Sequence, residues 1–168
     1  ALENFLNIGI QNMKLCTIDC SSDVAQVFIS DGRTYAQRSH SGARSHADNI
    51  LSMLDDACLE LGWTSADFDA MAVGEGPGSF TGLRVAFSVV KGIALAHDIP
   101  IYPVSTLASI AQQVISDDPI YCMIDARMQQ VYWAVYKNNI CIDVARVDNP
   151  EDISPTHAKF VVAGAGFH

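Results

Sequence analysis

The chain has 168 residues, a net charge of −9 and a sequence pI near 4.7, so it can hold one substantial core or two small lobes. The acidic balance excludes a protein that grips a nucleic-acid backbone unaided, because phosphate binding relies on clustered Lys and Arg; any RNA would be held mainly by a partner. Cys16, Cys20, Cys58, Cys122 and Cys141 form an odd set with no Cys-x-x-Cys, so neither a disulfide framework nor a zinc knuckle is indicated, and they read as small apolar residues in a reducing cytosol.

Residues 1–12 precede Met13 and read as an upstream extension or an expression remnant. Their apolar run is too short to cross a membrane, and Glu3 with no basic residue ahead of it does not suit a signal peptide. From Lys14 the pattern predicts strand Leu15–Cys20, a Ser21-Ser22-Asp23 turn, strand Val24–Ser30, an Asp31-Gly32 turn and a third strand to about Ser39. Asp-Gly between two such runs is a strong hairpin signal. Arg38 to His46 is expected to be a polar loop. Arg33, Arg38 and Arg44 make it locally positive, which fits a solvated loop and also fits a site for phosphate or an acidic surface.

A helix is expected over His46–Leu61, closed by Gly62 as a C-cap. His46 at its start has no second imidazole one turn on, so it reads as a capping or packing residue. Ala47, Ile50, Leu51, Met53, Leu54, Ala57, Cys58 and Leu61 spread over a wider arc than the ~100° that a helix resting on a sheet requires.

The short apolar run Ala70–Val73 then enters Gly74-Glu75-Gly76-Pro77-Gly78-Ser79-Phe80-Thr81-Gly82-Leu83-Arg84. Four glycines and a proline within nine residues set a special backbone shape and bring the main chain close to whatever it faces. A Walker phosphate loop is excluded, because no Gly-Lys-Ser/Thr follows at the required spacing. A dinucleotide fingerprint lacks its third glycine. A tight strand-to-helix turn without ligand fits the spacing, as does an anion held by the first amides of the helix that Ser79 or Thr81 would cap. That helix runs to about Ala96 with one narrow polar stripe, Thr81, Arg84, Ser88 and Lys91. Leaving three or four of its apolar side chains in water would forgo roughly 1.5 to 3 kcal/mol each, so either this chain or a partner covers them.

A second lobe is expected after Pro100: strand Ile101–Val104, Ser105 capping helix Leu107–Ile115, strand Ile120–Asp125, and a hairpin of Val131–Tyr136 and Ile140–Val147 through Asn138-Asn139. Strand Phe160–Ala163 then meets Gly164 and Gly166, and the ending reads as premature.

The undecapeptide Gly74 to Arg84 resembles the signature of the bacterial TsaB (YeaZ) family, in the glycoprotease-like branch of the actin/hexokinase/Hsp70 superfamily. The likeness recurs in order in Leu15-Cys16-Thr17-Ile18-Asp19, His46, Pro103-Val104-Ser105-Thr106-Leu107, Ile124-Asp125-Ala126-Arg127-Met128 and Val131-Tyr132-Trp133-Ala134. It implies an α/β, ribonuclease-H-like (actin-like ATPase) two-lobe fold with mixed sheets flanked by helices. The N-terminal lobe would be 13–100 and the C-terminal lobe 101–168, the latter incomplete. Asp19 and Ser21, and Asp125 and Arg127, would mark two phosphate loops that lack their glycines here. For the first, a turn capped by hydroxyls remains the alternative; for Arg127, a salt bridge with a carboxylate.

Catalytic relatives carry a metal-binding His-x-x-x-His on the first helix; here Ile50 stands at the second position, so no metal and no cofactor are expected. The resemblance implies a cytoplasmic, non-catalytic subunit that binds and stabilises TsaD, works alongside the ATPase TsaE, and pairs with itself. The process would be threonylcarbamoylation of adenosine 37 in tRNAs reading codons that begin with A, with tRNA contacted mainly through the complex and no membrane involved. The interface would use Ile50, Leu51, Leu54, Cys58, Val85, Val89 and Ile93. Two other classes remain: a glycoprotease-like peptidase, with Ser79, Ser105 or Cys20 as nucleophile, and an ATP-binding protein of the same superfamily.

Overall fold

The computed structural model describes residues 12–42 and 46–165, with no side-chain account of 46–48. The expectations for residues 1–11, Arg44, the His46 side chain and Gly166 lie outside the described residues. The chain divides into two compact units, one up to Val104 and one from Ser105.

The first unit holds a five-stranded sheet of β1 (Leu15–Asp19), β2 (Val24–Ser30), β3 (Tyr35–Ser41), β4 (Ala70–Gly76) and β5 (Ile101–Ser105), in the order β3-β2-β1-β4-β5. β1–β2 and β2–β3 are antiparallel, whereas β1 and β4 run parallel. The crossover between them carries α1 (His46–Leu61), and α2 (Phe80–His97) follows β4. In β1 the residues alternate, so Cys16 and Ile18 are wholly buried, and they meet Val27 and Ile29 of β2, Ile50 and Ala57 of α1, and Ala86 and Val90 of α2. Asp31 closes the β2–β3 turn by accepting the N–H groups of Arg33 at 2.9 Å and Thr34 at 2.8 Å. α1 ends at Gly62, whose φ of +70° is the left-handed conformation a helix C-terminus favours.

Three expectations are corrected. Arg38 to Ser41 is strand: the alternation of polar residues there hid a ladder in which Arg38 faces Val27 and Ser41 faces Val24. Arg38 is spent within the unit, bonding Glu60 at 2.7 Å and the Asp56 carbonyl at 3.1 Å. The strand expected to open the second lobe, Ile101–Val104, instead lies beside β4 as the edge of the first sheet. The Pro100 carbonyl accepts the Met71 N–H at 3.0 Å, and Pro103, which has no N–H to donate, is tolerated on an edge. The third helix, α3, covers only Thr106–Ala111 and gives way to turns, which leaves Ile115 at 99% exposure.

The second unit holds β6 (Ile120–Arg127), β7 (Gln130–Lys137), β8 (Ile140–Asp148) and β9 (Val161–Ala165), ordered β8-β7-β6-β9. One face packs Cys122, Ala134 and Tyr136 on Leu107 and Ala111 of α3. The other buries Tyr121 stacked on Trp133 at 6.1 Å, with the Trp133 Nε1–H donating to Asp148 at 2.8 Å. The Thr156 N–H donates to the Tyr121 hydroxyl at 3.1 Å and ties the 149–160 segment onto this face. Asn138 and Asn139, at φ 51° and 62°, form the expected β7–β8 turn. Gly164 finds its destination in β9, where a β-carbon would collide with the Met123 carbonyl. β8 pairs with β7 through two register shifts and exposes Ile140, Ile142 and Val144.

The start of β1 is latched from outside the sheet. The Lys14 N–H donates to Asp69 at 2.8 Å, its ammonium meets Asp67 at 3.0 Å, and it lies 4.9 Å from the centroid of the Trp63 ring. The Thr64 N–H, and then Lys14, hold the Asp67 carboxyl down to about 2. A carboxyl lowered by folding stabilises the fold above its unfolded pKa and loses that contribution as pH falls through the folded one. Asp67→Asn is therefore expected to lower the melting temperature at pH 7 and to flatten its fall between about pH 4 and pH 2; unchanged melting at both ends of that range would show that the latch contributes nothing.

Candidate functional site

The glycine-rich loop is packed against the chain itself. It leaves β4 and crosses the β1–β2 turn, where the Ser79 N–H donates to the Ser21 carbonyl at 2.7 Å. A β-carbon on Gly74 would collide with the Asp19 carboxylate, one on Gly78 with the Ser21 carbonyl, and one on Gly82 with the Cys20 carbonyl. Glycine at 78 and 82 is thus the condition for main chain to lie on main chain, and glycine at 74 leaves room for the Asp19 side chain. Ser79, and not Thr81, caps α2, its hydroxyl accepting the Gly82 N–H at 3.3 Å. The Gly76–Pro77 bond is cis.

At the first of the two expected phosphate loops, the Asp19 carboxylate accepts both the N–H of Ser21 at 2.9 Å and its hydroxyl at 3.1 Å. Both Ser21 donors are thus turned to the chain's own carboxylate. At the second, Asp125 accepts the Arg127 N–H at 2.7 Å and lies 3.7 Å from its guanidinium. Arg127, Met128 and Gln129 all have φ between 53° and 67°, a tight turn made without glycine. Among the described residues no three His, Cys, Asp or Glu side chains come together as a metal site.

Ser79 and Ser105 spend their hydroxyls as helix caps. Burial, with the Asp19 charge beside it, pushes the Cys20 thiol up to about 12, so it stays protonated at neutral pH. His97 bonds Ser65 at 3.2 Å and His157 bonds Tyr121 at 3.0 Å.

The helix faces divide differently from the expected interface. Ile50, Leu54 and Cys58 are buried in the first unit's own core at 0%, 3% and 6% exposure, so the structure removes them from any surface. Leu51 is exposed, and Val85, Val89 and Ile93 are half-buried at the flank of that core. The fully buried residues of α2 are Gly82, Ala86, Val90 and Ala94, a narrow row at a spacing of four, with Val85, Val89 and Ile93 packed at its flank. Its larger side chains therefore point outward: Phe80 is 66% and Leu95 83% exposed. An open groove of about 460 Å³ runs along this face, lined by Phe80, Thr81, Arg84, Val85, Ser88 and Val89. The Arg84 guanidinium lies 3.8 Å from the centroid of the Phe80 ring. Gly92 was not among the expected site residues; it sits in mid-helix on the open side, and a β-carbon there would meet nothing within 4 Å. A helix-interior glycine with no internal reason was the available signal.

α2 is long and apolar enough to cross a membrane by length and composition. Its row of small residues on the sheet and the exposed Arg84 and Lys91 describe a sheet-packed amphipathic helix instead.

Residues 35–151 match the family model described as TsaD, tRNA N6-adenosine threonylcarbamoyltransferase. The chain is 34% identical over 130 residues to the tRNA threonylcarbamoyladenosine biosynthesis protein TsaB of Escherichia coli (strain K12), covering 76% of this chain and 56% of that protein. It is 33% identical over 128 residues to the TsaB of Haemophilus influenzae, covering 74% and 54%. The chain thus spans about half the length of the curated relatives it matches. The solved structure of YeaZ from Pseudomonas aeruginosa superposes with a TM-score of 0.82 at 32% identity, over 90% of this chain and 76% of that one.

Gly82→Ala is expected to destabilise the protein by about 1 to 3 kcal/mol, since the Cys20 main chain must move; denaturant melts test this, and an unchanged midpoint would mean that the loop does not need its close approach. A thiol titration of the native protein is expected to register Cys141 alone at once, with the other four cysteines following only in denaturant. Fast reaction of a second thiol would contradict the burial described here.

Proposed function

The chain belongs to the TsaB (YeaZ) family and has its ribonuclease-H-like, actin-type architecture, and on that footing we propose that it is a non-catalytic subunit for threonylcarbamoylation of adenosine 37 in tRNAs reading codons that begin with A. It binds and stabilises TsaD in a cytoplasmic assembly that includes TsaE, and the same face serves for pairing with a second copy. The names of the relatives support the process. The observation that carries the accessory role is the open apolar face of α2, because a helix seated on a row of small residues leaves Phe80, Phe87 and Leu95 to be covered by something else.

Two further features support this reading. The Ser21 donors are taken by Asp19, which leaves the β1–β2 turn without the amide and hydroxyl that an ATP phosphate would use. The Cys20 thiol and the capping serines offer no activated nucleophile, which weighs against a peptidase.

The test is light scattering of the chain alone and with its cognate TsaD, repeated with Ser88→Tyr, which fills the groove from an exposed position, and with Val85→Asp. Each is expected to weaken binding to TsaD by about tenfold or more. Gly92→Ala separates folding from docking: it is expected to stabilise the isolated chain by about 0.5 to 1 kcal/mol while weakening the complex. Undiminished TsaD binding by all three variants would remove α2 as the interface.

A further inference from the structure

The two cations of α2 are the feature that the apolar groove leaves unexplained. Lys14, Arg38, Arg127 and Arg146 each meet a carboxylate within the chain. Arg84 and Lys91 meet none among the described residues, and nor do Arg33, Lys137 and Lys159; Arg84 and Lys91 are the two that share a helix with the groove, in a chain whose net charge is −9. α2 has no acidic residue of its own. The two cations stand seven residues apart on one side of the helix, about 10 Å along its axis at 1.5 Å per residue.

Arg84 forms part of the groove wall, and its guanidinium is stacked on Phe80 at 3.8 Å. Stacking occupies the planar face and leaves the N–H edge free to donate. Any apolar surface that settles on Val85 and Val89 also takes Arg84 out of water, and a cation desolvated without an anion opposes binding. A fitting occupant therefore brings its own carboxylate to that position.

We propose that the α2 face receives an amphipathic helix of the partner subunit that carries two carboxylates about two turns apart, one for Arg84 and one for Lys91. The proposal rests on the reading of α2 as the docking face and adds the chemistry that selects the occupant and sets its register. Apolar contact in the groove supplies the attraction, and the ion pairs fix register, because a helix slipped by one turn would leave both cations unpaired.

The experiment is a titration of the full chain with cognate TsaD at about 50 and 500 mM salt, using wild type, Arg84→Glu with Lys91→Glu, Arg84→Lys, and Val85→Asp. Melting curves establish that the exposed charge variants fold. Wild-type affinity is expected to fall as salt rises. The double reversal is expected to lose about tenfold or more at low salt and to recover as salt rises, and Arg84→Lys to retain most of the affinity. Binding that Val85→Asp abolishes but the double reversal leaves unchanged at both salts overturns the charge proposal and leaves the docking face standing. Binding that neither variant changes overturns both. A double reversal that splits only the homodimer assigns the carboxylates to a second copy and overturns the assignment to the partner.

Discussion

The close approach of two main-chain segments governs the first unit. The Gly74–Gly82 stretch lies directly on the Asp19–Ser21 turn, and the Ser79 N–H to Ser21 carbonyl bond at 2.7 Å joins the two. The start of α2 is set by that contact, because Ser79 is both the residue that makes the bond and the cap that opens the helix. Backbone packed on backbone admits no side chain between, which is why the positions nearest the turn are glycine. The loop thereby holds the start of a helix against a sheet.

That contact also determines what α2 can present. A helix brought this near to a sheet favours small residues at its most buried positions, and Gly82, Ala86, Val90 and Ala94 meet that demand. Bulk is displaced to the flanks and the outer face, where Val85, Val89, Phe80 and Arg84 form the groove. Tight internal packing and an unfilled outer surface are therefore two results of one constraint.

Much of this was legible in the sequence. Periodicity and caps gave α1 its bounds at His46 and Leu61, and Asn138-Asn139 gave the β7–β8 turn, because both depend on nearby residues. Arg38 to Ser41 was misread, since a polar edge strand has its pairing partners elsewhere in the chain. The same limit applied to β5, whose place beside β4 depends on the Pro100 carbonyl meeting Met71. A wide apolar arc on α1 suggested surface to spare. Ile50, Leu54 and Cys58 went to the core because α1 lies against β2 and β3 and also beside α2, so one helix satisfies two neighbours. Local pattern reports how apolar a helix is; which side faces inward is decided by the packing.

β8 shows how the second unit handles its own boundary. Its outer edge carries Ile140, Ile142 and Val144, the composition that recruits a foreign strand when the backbone is straight and regular. The register shifts beside Val135 interrupt that regularity twice within nine residues. An incoming chain would find no uninterrupted ladder to copy, so the irregularity guards this sheet against fibril-like growth even with its aliphatic side chains in water. Restoring a straight strand there would make the pairing with β7 more regular and the protein less soluble.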